Sequence, residues 1–99
     1  MIVITGVIPI DGSKRDQVVQ IVNTMRAATL LEDGCAQYRF SFATDEPNTL
    51  LIIEEWRDQK ALTLHFGTPH MAAMQAEMPN IVVGAPVLTR YVVESKGSL

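Results

Sequence analysis

Residues 2–10 read as a strand with two apolar faces, and that pattern constrains the fold more than any other feature of the chain. Ile2, Ile4, Ile8 and Ile10 share one face, while Val3 and Val7 fall on the other. A sheet with helices on one side and water on the other alternates apolar with polar residues. The alternation fails again at Leu50, Leu51, Ile52 and Ile53, four apolar residues in succession. Both sheet faces therefore need cover. The chain has 99 residues, enough for a single domain over 1–99, and a chain of this size buries only about 65% of its unfolded surface. Its helices can cover one face, so a second copy packed sheet against sheet is expected to cover the other. The expectation is a homodimer.

The remaining pattern gives the element order. Asp11-Gly12-Ser13 breaks the first strand, and Asp11 or Ser13 can cap the helix that follows, with Asp16 completing a weak capping box. From Lys14 to Glu32 the apolar positions Val18, Ile21, Val22, Met25, Ala28 and Leu31 or Thr29 keep helical spacing. Gly34 is the expected left-handed stop. Cys35 to Thr44 alternates, with Tyr38, Phe40 and Phe42 on one face. A turn at Asp45–Asn48 leads into a strand from Thr49 to Trp56. Asp58 can cap a short helix holding Ala61, Leu62, His65 and Phe66, which Gly67 interrupts. Thr68-Pro69 restarts a helix that shows Met71, Met74 and Met78 on one side and ends before Pro79-Asn80. Val87 to Glu94 is the last strand. The fold class is α+β, a ferredoxin-like β-α-β-β-α-β order.

Composition excludes several function classes. Hydrophobic residues make up 47% of the chain and charged residues 19%, which rules out disorder. The formal net charge of −3 argues against nucleic acid and anionic membranes as partners, since both call for a basic patch. The apolar start lacks the basic region and cleavage site of a signal peptide and is too short to span a bilayer, so a cytoplasmic location is expected. The one cysteine, Cys35, can form neither an internal disulfide nor a thiolate cluster, and is most simply a small buried apolar residue.

There is no phosphate loop, dinucleotide fingerprint, nucleophile elbow or zinc spacing. The two histidines, with Glu54 or Glu55, could form a facial triad for iron, but spacing alone is weak support and no metal is expected. Glu54 and Trp56 share a strand face and Glu55 points away. His65 follows Leu62 by three residues and so sits on the apolar stripe of its helix. There it is either a proton shuttle or a core-edge histidine bonded to a carboxylate or carbonyl. His70 falls in the first turn after Thr68, where the helix dipole favours a neutral imidazole; it is a base or a surface residue helping to cap the helix. Trp56 and Tyr38 suit the core, Tyr38 needing one hydrogen-bond partner. The methionine row is packing, or an adaptable wall for a flat ligand.

The residues Glu32-Asp33-Gly34-Cys35, Tyr38, Asp45, Pro47, Glu54-Glu55-Trp56, Ala61-Leu62, His65 and Thr68-Pro69-His70 together resemble the antibiotic biosynthesis monooxygenase family. The likeness runs through nearly the whole chain. It implies a dimeric α+β barrel that oxygenates a small phenolic, quinol or anthrone-like substrate with dioxygen and without a cofactor. It further implies His65 or His70 as the base, Trp56 and Tyr38 against the ring and oxygen, and Phe40, Phe66, Met71 and Met74 as the substrate wall. Two departures narrow this. Some oxygenating members place asparagine four residues before the tryptophan, where this chain has Ile52. Haem-degrading members carry an asparagine in the first strand, and residues 1–10 have none. Other members isomerise small phosphorylated sugars or have no established reaction, so the alternatives are a non-redox isomerase with His65 and Glu54 as acid and base, or a non-catalytic small-molecule-binding dimer.

Overall fold

The isoleucine-rich start forms β1 (Ile2–Pro9), and the apolar stretch at Leu50–Ile53 lies in β3 (Thr49–Trp56). These two strands take the central positions of a four-stranded antiparallel sheet, where both neighbours hydrogen bond to them. The edges are β2 (Cys35–Phe42) beside β3 and β4 (Val87–Val92) beside β1. The computed structural model describes residues 1–99. Three helices, α1 (Arg15–Thr29), α2 (Gln59–Phe66) and α3 (Pro69–Ile81), complete the ferredoxin-like α+β fold. No helix is long and apolar enough to cross a membrane.

The sheet has one covered face. Ile2, Ile8, Leu50, Ile52 and Trp56 are buried under the helices with Val18, Val22 and Met25 of α1. The other face leaves Val7, Ile53, Val87 and Tyr91 exposed. This is the double-sided apolarity of the sequence, with cover on one side.

Helix ends follow local chemistry. Asp11 Oδ1 accepts from Ser13 N at 3.0 Å and opens a short turn of 3-10 helix ahead of α1. Asp58 accepts from Ala61 N at 2.9 Å, and the Thr68 hydroxyl accepts from Met71 N at 3.3 Å with Pro69 at the first helical position. Gly34 adopts φ +88°, and a Cβ there would approach Ala61 Cβ to 2.6 Å, so this stop needs glycine twice over.

Four boundaries differ from the sequence reading. The helix expected to run to Glu32 stops at Thr29, which is wholly buried, while Leu31 is 87% exposed. Thr29 returns its hydroxyl to Met25 O at 2.7 Å, so a polar side chain fills the buried end of the stripe. At the other end of the chain α3 runs on through Pro79 to Ile81. Proline removes one backbone donor, but burial of Ile81 and a bond from Val82 N to Met78 O at 2.9 Å keep the last turn wound. The strands expected to reach Thr44 and Glu94 end at Phe42 and Val92. Cys35 is half-buried rather than buried.

Candidate functional site

One row of residues crosses the sheet from edge to edge. Tyr38 opposes Glu54, Glu54 opposes Ile4, and Ile4 opposes Arg90. A register shift between Cys35 and Gln37 brings Tyr38 into this row. All four line a cavity of about 340 Å³ between the sheet and the helices. Small-molecule sites start at roughly 300 Å³. Phe40, Leu62, Phe66, Met71 and Met74 supply most of the remaining wall near the row, so the space is largely apolar.

His65 enters this cavity from α2 and is 1% exposed. Trp56 and Tyr38 hold its ring, with centroid separations of 4.7 and 5.5 Å. Nδ1 lies 2.7 Å from Glu32 Oε2, a hydrogen bond between the helix and the turn after α1. Nε2 has no hydrogen-bond partner within the chain. The ring lines the cavity, and no buried side-chain nitrogen or oxygen is sealed off without a partner. A carboxylate at Nδ1 selects the tautomer protonated there and leaves the Nε2 lone pair free to accept a proton. The arrangement is that of an oriented base.

The same Glu32 oxygen lies 2.7 Å from His70 Nε2. His70 sits in the first turn of α3, yet the cap of that helix is Thr68, and the imidazole reaches back to the carboxylate instead. It does not line the main cavity. It borders a separate, more polar groove of about 310 Å³ between α1 and α3. Trp56 also stands outside the cavity lining: it is fully buried, and its Nε1 donates to Glu54 Oε1 at 2.9 Å. Burial raises the Glu54 carboxyl above its ordinary value; the Trp56 hydrogen bond opposes this and the Glu32 charge adds to it. Burial likewise pushes the Tyr38 phenol up, with the neighbouring Glu54 charge adding to the effect.

The structure thus brings His65, Glu54, Tyr38, Phe40, Phe66, Met71 and Met74 to one cavity and leaves Trp56 and His70 behind it. Glu32 is the residue that sequence reasoning did not place in the site. The helical spacing puts it in the last turn of the first helix, and its partners are 33 and 38 residues away. The only signal was its place in the quoted string just before Gly34.

A family model described as antibiotic biosynthesis monooxygenase matches residues 1–77. The chain belongs to this family. A curated relative is an uncharacterized protein of Synechocystis, 30% identical over 81 residues, which cover 82% of this chain and 55% of that protein. This chain therefore spans about half that relative's length. YcnE of Bacillus subtilis is 29% identical over 77 residues, covering 78% of this chain and 81% of its own. Among solved structures, Rv0793 of Mycobacterium tuberculosis superposes with a TM-score of 0.89 at 22% identity, covering 98% of both chains. A structure described as an antibiotic biosynthesis monooxygenase gives 0.88 at 20% identity, covering 96% of this chain and all of the other (100%). At these identities the superpositions establish the shared fold.

In this chain the carboxylate beside the two imidazoles is Glu32, in place of the Glu54 or Glu55 that the sequence offers for a facial triad. Glu54 is engaged by Trp56, and Glu55 is paired with Lys96 at 3.3 Å. The donor atoms of Glu32, His65 and His70 lie within 4.8 Å of one another, so these three are the residues that could hold a metal ion.

The raised Glu54 carboxyl has a consequence for stability. The folded state keeps its proton to higher pH than the unfolded chain does, so stability falls as pH rises from about 4.5 through the folded value. Glu54→Gln removes that loss. Urea unfolding between pH 4 and 7 is expected to show the wild type losing stability relative to Glu54→Gln as pH rises; a constant difference would refute the burial argument.

Proposed function

We propose that the chain is a single-domain, cofactor-independent monooxygenase acting on a small phenolic, quinol or anthrone-like substrate. The observation that carries this reading is His65, held by Glu32 at Nδ1, unpartnered at Nε2, and lining an apolar cavity. YcnE, whose name provisionally assigns it as a monooxygenase, adds weight. His65 Nε2 takes a proton from the substrate, and Glu32 steadies the imidazolium. For an anthrone-like CH₂ centre, the resulting anion passes electrons to dioxygen and forms a carbon–peroxide bond. The peroxide takes a proton from a donor, and loss of the second carbon-bound proton expels hydroxide as the O–O bond breaks. The products are a ketone and water, and the four electrons all come from the substrate. Glu54 is the proton donor, since burial keeps its carboxyl protonated more readily than usual. That role matters because Ile52, in the position where some oxygenating relatives have asparagine, also lines the cavity.

The working unit in this reading is a homodimer. The exposed face carrying Val7, Ile53, Val87 and Tyr91 packs against the same face of a second copy. Sedimentation is expected to give a dimer at micromolar concentration, with Ile53→Lys shifting it to monomer; a stable wild-type monomer would sink this part.

Glu54 and His65 share the cavity, which favours one second reading, a non-redox isomerase using them as acid and base. Dioxygen uptake with a panel of hydroquinones and anthrones separates the two. The oxygenase reading expects uptake, reduced ~10²–10⁴-fold in kcat/KM by His65→Gln. Nil uptake across the panel, or uptake untouched by that substitution, would end it, and turnover under strict anaerobiosis would favour the isomerase.

A further inference from the structure

Arg90 is the only permanently charged cation among the residues lining the cavity. It lies on β4, at the open edge of the sheet, and forms no ion pair with any carboxylate of the chain. Its position is nevertheless set. Gln59 Nε2 donates to Thr63 Oγ1 at 3.2 Å, which turns Gln59 Oε1 toward Arg90 Nη1 at 2.6 Å. That bond uses one of five guanidinium donors and leaves a fork free. An oriented, unpaired guanidinium in a chain of net charge −3 has no anion of its own to serve.

The row across the sheet fixes where it stands relative to the acid–base pair. Arg90 and Glu54 oppose the same residue, Ile4, from its two sides. With strands about 4.8 Å apart, their backbones are about 10 Å apart across that row. A single aromatic ring laid over Ile4, with polar groups at both ends, fits this span. Burial makes the Glu54 carboxyl easier to protonate than usual, which weakens its repulsion of an anion held at Arg90.

We propose that Arg90 is the anion-recognition group of the cavity and that its ligands are hydroxyarenes bearing a carboxylate. The acid sits on the Arg90 fork, the ring lies over Ile4, and the hydroxyl meets His65 Nε2; only the last placement rests on the oxygenase reading. A planar guanidinium pairs with a carboxylate through two parallel hydrogen bonds, which a neutral amide of the same shape cannot match.

The test is binding under anaerobic conditions, so that no turnover is needed. Isothermal titration compares 2,5-dihydroxybenzoate with 2,5-dihydroxybenzamide. The wild type is expected to bind the acid about tenfold more tightly or better. Arg90→Met should equalise the two, and Arg90→Lys should keep part of the preference, with circular dichroism confirming that both variants fold. Equal binding by the wild type, no binding of either compound, or a preference that survives Arg90→Met would overturn the assignment. A kept preference together with nil dioxygen uptake would remove the oxygenase reading and leave Arg90 in its role.

Discussion

One carboxylate oxygen organises the helical side of this molecule. Glu32 Oε2 meets His65 of α2 and His70 of α3 at 2.7 Å each, so the turn after α1 is tied to both later helices at a single point. Gly34 makes the tie possible, because its left-handed backbone reverses the chain two residues after Glu32 and lets Ala61 of α2 pack close. Without the carboxylate, a fully buried imidazole would lose its partner at Nδ1, a loss that typically costs about 1–3 kcal/mol. The same bond decides which His65 nitrogen is left for chemistry. In the proposed function, structure and reactivity therefore depend on one contact.

The sheet supplies the other half of the site. A row from Tyr38 through Glu54 and Ile4 to Arg90 runs beneath the helices, grading from a buried phenol and carboxyl to an exposed guanidinium. The opposite face of these strands carries apolar residues with no partner inside the chain. The strands thus present two surfaces, a cavity wall on the even-numbered side and an exposed apolar face on the odd-numbered side.

The fold was largely legible in the sequence because its strands obey a period of two and its helix starts carry capping side chains. β1, β3 and the Asp58 and Thr68 caps all follow from local chemistry. Helix ends were harder to read. Thr29 and Leu31 compete for one stripe position, and only tertiary packing chooses the threonine. Pro79 reads as a stop, yet the burial of Ile81 outweighs one missing hydrogen bond. In the site, His65 and Glu54 could be placed from strand and helix periodicity. Glu32 could not, since its partners come from a helix pair more than thirty residues downstream. The resemblance to the antibiotic biosynthesis monooxygenase family included Glu32 in its string without giving it a task.

In the proposed function His65 Nε2 is the group that meets the substrate. A crystal structure of the protein soaked anaerobically with 2,5-dihydroxybenzoate tests it most directly. The expected result is a ring hydroxyl at about 2.6–3.2 Å from His65 Nε2, with the Glu32 contact to Nδ1 intact. A ring bound in the groove beside His70, or seated in the cavity with its hydroxyls turned away from His65, would contradict it.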